Sequence, residues 1–173
     1  MKKVQFGCGG NRLSGWENYD WEVDITKPLP FSDSSVSHIL AEHVMEHITI
    51  HQAWNFIEEC HRILEPNGYL RIAVPCVSKI FKLADDEYFT FIKKHGWGEP
   101  TLKDAVKSII FNHEHKTIWE ESSLNAIVSC IGFATLSEEP IDMKNTLHHS
   151  NVIGHKINAI ETIVVDAQKI ANK

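Results

Sequence analysis

The sequence predicts an α/β fold with a parallel sheet, and three observations carry that prediction. A short apolar strand, "KVQF" (Lys3 to Phe6), runs straight into a glycine-rich turn, "GCGG". The most strand-like run in the chain, "YLRIAVP" (Tyr69 to Pro75), is rich in branched residues and closed by a proline. Between them a capped amphipathic helix is preceded by further short extended runs, and this alternation of strand and helix is the mark of a parallel sheet.

The elements follow in order. "ENYDWEVDI" (Glu17 to Ile25) reads as two brief extended pieces, and "KPLPFSD" as a proline-punctuated loop. "VSHILAEH" (Val36 to His43) reads as a strand with a buried middle. Thr49 and Gln52 stand at capping-box spacing before a helix. Along it Trp54, Ile57, His61 and Leu64 share a face with Ala53, Phe56, Cys60 and Ile63 beside them, and Pro66 with Asn67-Gly68 stops it. Residues 77–120 are aromatic and helical in pattern, broken by "HGWGEP", and read as an insertion or lid. A second helix spans about Ser122 to Ile131, with Leu124, Ile127, Val128 and Ile131 on one face and Gly132 as its stop. "FATLSEE" and "ETIVVDAQK" read as a last pair of strands, and residues 1–173 as one domain.

Composition excludes several function classes. A length of 173 residues with 43% apolar residues supports one domain with a real core. No apolar run approaches a membrane span and no leader precedes the first strand, so a cytoplasmic protein without membrane contact is expected. The formal net charge of −6 disfavours nucleic acid as a partner. Cys8, Cys60, Cys76 and Cys130 are scattered, as reduced thiols are. Among the 11 histidines, His113, His115, His148, His149 and His155 form two loose groups whose spacings match no zinc signature, and no metal is expected.

The turn poses the functional question. Gly7, Gly9 and Gly10 exceed what a bare turn needs and suggest close approach of a ligand to the backbone. The dinucleotide fingerprint G-x-G-x-x-G would need glycine where Arg12 stands, which weighs against nicotinamide or flavin cofactors. No G-x-S-x-G elbow is present, which weighs against a hydrolase.

"VQFGCGGN" resembles the first motif of class I S-adenosylmethionine-dependent methyltransferases, apolar-acid-apolar-G-C-G-x-G, and the chain is similar to their small, methyltransferase type 11-like members. "GWENYD", "DITKPLPFSDSSVSHILAEHVMEHI", "EECHRILEPNGYLRIAVP" and "WEESSLNAIVSCIGF" resemble later segments of that family in the right order. The resemblance implies a Rossmann-like methyltransferase sheet, mostly parallel with an antiparallel last strand, and helices on both faces. It implies S-adenosylmethionine as cofactor and methyl transfer, and a small-molecule, sugar or lipid-like acceptor is expected by default.

Position by position, the resemblance places Gly7, Cys8 and Gly9 against the amino-acid end of the cofactor, with Gln5 beside its amino group. It places Asp20 on the ribose hydroxyls, a diol that a carboxylate can bind twice. Asp24 and Ile25 would flank the adenine, and Glu42, His43 and His47 would line the methionine side. No catalytic residue is assigned; among the histidines suited to a general base, His47 gains support from its motif position. Two positions depart from the family: Gln5 replaces an acid, and Asn11 replaces a glycine. "AEHVMEH" lacks the N/D-P-P-Y motif of amino-methylating enzymes of bases and glutamine. The family's N-terminal covering helices have no counterpart, so an open site is expected, or one closed by residues 77–120, a homo-oligomer or a partner subunit. A non-catalytic cofactor-binding or regulatory protein of the same fold is the alternative.

Overall fold

Four largely apolar strands set the frame, seen in a computed structural model that describes residues 1–83, 93–94, 101–111, 114–137 and 162–171. Strand β1 (Lys3–Phe6) pairs in parallel with β2 (Glu17–Tyr19) and with β3 (Val36–Glu42). After the turn Met45–His47 and helix α1 (Ile50–Ile63), strand β4 (Leu64–Pro75) pairs in parallel with β3. Helices α2 (Val77–Leu83), α3 (Leu102–Phe111) and α4 (Glu121–Ile131) precede β5 (Phe133–Thr135) and β6 (Thr162–Lys169). Strand β6 runs antiparallel to both β4 and β5, and the described strands stand in the order β2-β1-β3-β4-β6-β5. The mostly parallel sheet with an antiparallel end is as expected.

One face of this sheet carries the main core. Phe6, Ile39, Ile72 and Val165 alternate along their strands and meet Phe56 and Ile57 of α1 and Leu124 and Val128 of α4. Phe6 stacks edge-on against Phe56 at 5.5 Å between ring centres. Burying one such side chain contributes about 1.5–3 kcal/mol. On the opposite face Leu40 and Ala73 meet Val164 and the loop residues Leu13 and Trp16. Helices α1 and α4 therefore pack on the first face. The ten-residue link Gly7 to Trp16 is too short for a helix between two parallel strands. Instead the Asn18 side chain accepts from the amide of Leu13 at 2.8 Å and donates to the carbonyls of Leu13 and Trp16, folding the link flat.

Three expectations change. The second extended piece of Glu17 to Ile25 is a turn, because Asp24 Oδ1 accepts from the amide and hydroxyl of Thr26 at 2.9 and 2.7 Å. Trp54 leaves the buried face of α1: it is 38% exposed, and its Nε1 donates to Glu58. Helix α1 ends at Ile63, before Pro66, and the extended stretch starts at Leu64. The β3–β4 register jumps from Val36↔Leu64 to His38↔Tyr69, so Glu65 to Gly68 bulge out with Asn67 at φ 65°.

The expected caps hold. Thr49 accepts from the Gln52 amide while Gln52 Oε1 accepts from the Thr49 amide, and Gly132 closes α4 at φ 116°. Among the described residues no helix is long and apolar enough to cross a membrane.

Candidate functional site

Ligands of open α/β sheets bind at the carboxyl ends of parallel strands, and the glycine turn leaves the carboxyl end of β1. Its glycines have different physical reasons. Gly7 has φ 68°, and a Cβ there would stand 2.8 Å from Cβ of Val44, so packing alone demands glycine. Gly9 has φ 48° with nothing within 4 Å of a built Cβ. Gly10 needs no positive φ and also faces open space. Room for a ligand thus lies over Gly9 and Gly10, while Gly7 is structural.

The surroundings of the turn are polar at two points. Gln5 is buried, and its Oε1 has no hydrogen-bond partner among the described residues. An orphaned buried acceptor costs about 1–3 kcal/mol and marks a place for a donor. The Cys8 amide donates to the Tyr19 carbonyl at 3.1 Å, which brings exposed Asp20 beside the turn. Cys8 is itself buried; burial pushes its thiol up, with Asp20 and Glu22 adding and Arg12 opposing. That thiol is a filler rather than a nucleophile.

The adenine-side candidates have local contacts of their own. Asp24 caps its turn through Thr26, hydrogen bonds that hold its carboxyl below the usual range. Ile25 is buried within the main core.

At the end of β3 the chain turns sharply. His43 takes φ 51°, a left-handed backbone costly for a residue with a Cβ, and its amide donates to the Ala73 carbonyl at 2.9 Å. This turn brings Glu46 under the His43 ring. Nδ1 of His43 lies 3.3 Å from Glu46 Oε1, and Nε2 lies 2.7 Å from Thr162 Oγ1. Glu46 is 2% exposed, with its Oε2 lacking a partner among the described residues. Half-exposed His47 stacks edge-on against His115 at 4.9 Å between ring centres. Glu42 ends β3 partly exposed.

Sequence reasoning missed Glu46, Thr162 and a neighbouring cleft. The cleft, of about 580 Å³, opens past the carboxyl end of β4 and is lined by Cys76, Ser78, Lys79, Glu120, Ser122 and Ile163. Ser78 Oγ donates to Glu120 Oε1 at 2.6 Å, and the Lys79 ammonium donates to the Thr162 carbonyl. The one local signal for Glu46 was its three-residue spacing from His43; nothing local tied residue 162 to residue 43. His113, His148, His149 and His155 lie outside the described residues.

Comparison with known proteins agrees with this fold. A family model described as "Methyltransferase domain" matches residues 11–72. The chain is similar in fold to an S-adenosylmethionine-dependent methyltransferase of Archaeoglobus fulgidus (TM-score 0.55, 15% identity, covering 98% of this chain and 86% of that one). It is similar to a chain of the Haloferax volcanii complex between the Trm112 methyltransferase activator and a methyltransferase (TM-score 0.54, 12% identity, 99% and 85% covered). A [4+2]-cyclase, SpnF, shares the fold as well (TM-score 0.57, 13% identity, 99% and 75% covered). No curated protein matches the chain in sequence. At these identities the structural likeness establishes the fold, and S-adenosylmethionine is the cofactor that the match and the fold support. The chain thus has the fold of class I S-adenosylmethionine-dependent methyltransferases and matches a methyltransferase domain over residues 11–72.

Proposed function

We propose that this protein transfers a methyl group from S-adenosylmethionine to a small polar acceptor. The observation that carries the reading is the pairing of open space over Gly9 and Gly10 with the buried, unpartnered Oε1 of Gln5 two residues before the turn. S-adenosylmethionine supplies a sulfonium methyl group that is already electrophilic when it binds. The residues' part is then to bind, orient and exclude water. Gln5 Oε1 accepts from the ammonium of the cofactor's amino-acid end. The backbone at Gly9 and Gly10 leaves that end room, and Asp20 takes the ribose diol with its two oxygens. Glu42, His43 and His47 bound the methionine side at the end of β3.

The cleft past β4 is the acceptor's place in this reading. Its walls present a hydroxyl, a carboxylate and an ammonium in Ser78, Glu120 and Lys79, which favours a polar molecule over a lipid. In this reading residues 77–120 belong to the same single domain, and Ser78, Lys79 and Glu120 among them wall the cleft. A partner subunit at the open side is a further part of the reading, supported by the activator bound to the Haloferax volcanii relative.

A second reading rests on Asp24 and Ile25. With the former committed to its turn and the latter to the core, the adenine side offers fewer free groups than the family motif implies, as suits a non-catalytic cofactor-binding protein. Calorimetric titration with S-adenosylhomocysteine, with NAD as control, tests cofactor binding. Micromolar binding of the former alone supports it, and the absence of any heat overturns it. Turnover with small polar acceptors then separates the enzyme from the silent protein.

A further inference from the structure

We infer that Glu46, His47 and His115 form a binding site for a first-row divalent metal ion. One donor atom from each of these side chains lies within 4.8 Å of the other two. The grouping was invisible to spacing because Glu46 and His47 sit in the turn after β3, whereas His115 arrives from just before α4.

Two observations separate this site from a chance meeting of side chains. Buried Glu46 holds Oε1 at 3.3 Å from His43 Nδ1 and 4.0 Å from His47 Nε2, and keeps Oε2 without a partner among the described residues. A buried carboxylate oxygen in that state calls for a cation or a donor. The segment carrying His115 is also pinned to the turn. The Lys116 and Thr117 amides donate to the Glu46 carbonyl at 2.7 and 3.2 Å, and Thr117 Oγ1 donates to the Met45 carbonyl at 3.2 Å. The three ligands are thus carried on one braced unit.

The donor set selects the ion. Two imidazoles and one carboxylate suit zinc, manganese or iron(II), whereas calcium and magnesium prefer oxygen throughout. Bonds of about 2.1 Å put donor atoms about 3.0–3.4 Å apart, so the trio closes on the ion by side-chain rotation. His43 supplies the outer support. A neutral ring donates from Nδ1 to Glu46 and accepts at Nε2 from the Thr162 hydroxyl, fixing both the tautomer and the carboxylate. Three protein ligands leave coordination positions open to water or an acceptor oxygen. A metal on His47 also takes the lone pair that a general base would need, so the two roles of His47 exclude one another.

The test is calorimetric titration of the chelator-treated full chain with ZnCl₂ and, separately, MnCl₂. The expected result is one equivalent of zinc bound with Kd below about 10 μM, weakened at least about tenfold in His115→Ala and in Glu46→Gln, the scale of a lost ligand interaction. His51→Ala, on the exposed side of α1, keeps the wild-type Kd. Circular dichroism checks folding, and if Glu46→Gln unfolds, His115→Ala decides alone. Equal zinc affinity in wild type and His115→Ala overturns the site, as does wild-type binding weaker than millimolar. Zinc binding is read without cofactor, so a failure to bind S-adenosylhomocysteine sinks the methyl-transfer reading and leaves this one standing.

Discussion

Gly10→Val and Gly7→Ala separate the ligand's demand for glycine from the fold's. At Gly10 the backbone is not left-handed and nothing lies within 4 Å of the added Cβ, so the fold accepts valine. Its stability changes by no more than about 0.5 kcal/mol, as at other open surface positions. A bound cofactor would meet the new isopropyl group. Overlap of that kind costs about 1–3 kcal/mol, which weakens Kd for S-adenosylhomocysteine about 5–150-fold. At Gly7 the opposite holds. Left-handed backbone costs a residue with a Cβ about 1–2 kcal/mol, and the 2.8 Å approach to Val44 Cβ adds an overpacking cost of about 1–3 kcal/mol. Gly7→Ala therefore loses about 2–5 kcal/mol, a fall in Tm of at least about 4 °C for a chain of this size. Thermal melting and calorimetry on the two variants give both readings. Wild-type affinity for S-adenosylhomocysteine in a folded Gly10→Val protein would refute the placement of the cofactor over the turn.

Further consequences concern the scaffold. Asp166 binds buried Arg71 through both oxygens, at 2.7 and 2.8 Å, across β4 and β6. Asp166→Asn removes one charged partner of the buried guanidinium and lowers stability in a urea melt by at least about 1 kcal/mol, and an unchanged melt would contradict the pairing. Thr49→Ala removes the cap of α1 and costs about 1 kcal/mol, whereas Thr49→Gly costs only a few tenths. Stability also falls on acidification in two stages. Burial, with the charge of Lys169, depresses His61, so its contribution is full above the unfolded value of 6.5 and is lost as pH falls towards its lower folded value. Hydrogen bonding to Arg62 depresses Glu59 in the same sense below 4.5. His61→Phe abolishes the upper stage and Arg62→Met weakens the lower one, and a melt series across pH that is unchanged in both variants would refute the assignment.

Local chemistry made much of the fold legible. The capping box at Thr49 and Gln52, the left-handed stop at Gly132 and the continuous apolar runs of β3 and β4 are decided within a few residues, and the structure keeps them. Trp54 was misplaced because periodicity says which residues share a stripe and not where the stripe ends. A Pro-Asn-Gly run was read as a helix stop, although the chain had already turned extended at Leu64 and absorbed the run as a bulge.

By itself the sequence determined the glycine turn, the capped helices, the order of strands and the resemblance that names a cofactor, since each rests on neighbours along the chain. Tertiary structure decided which glycine answers to Val44 and which faces open space. It also decided that buried Glu46 meets His43 and His47 while His115 is pinned beside them, and that Thr162 closes on His43. His115 and Thr162 come from parts of the chain far from residues 43–47 in sequence. Only the folded chain brings Thr162 within a hydrogen bond of His43 and sets His115 beside His47, and no local pattern encodes those distances.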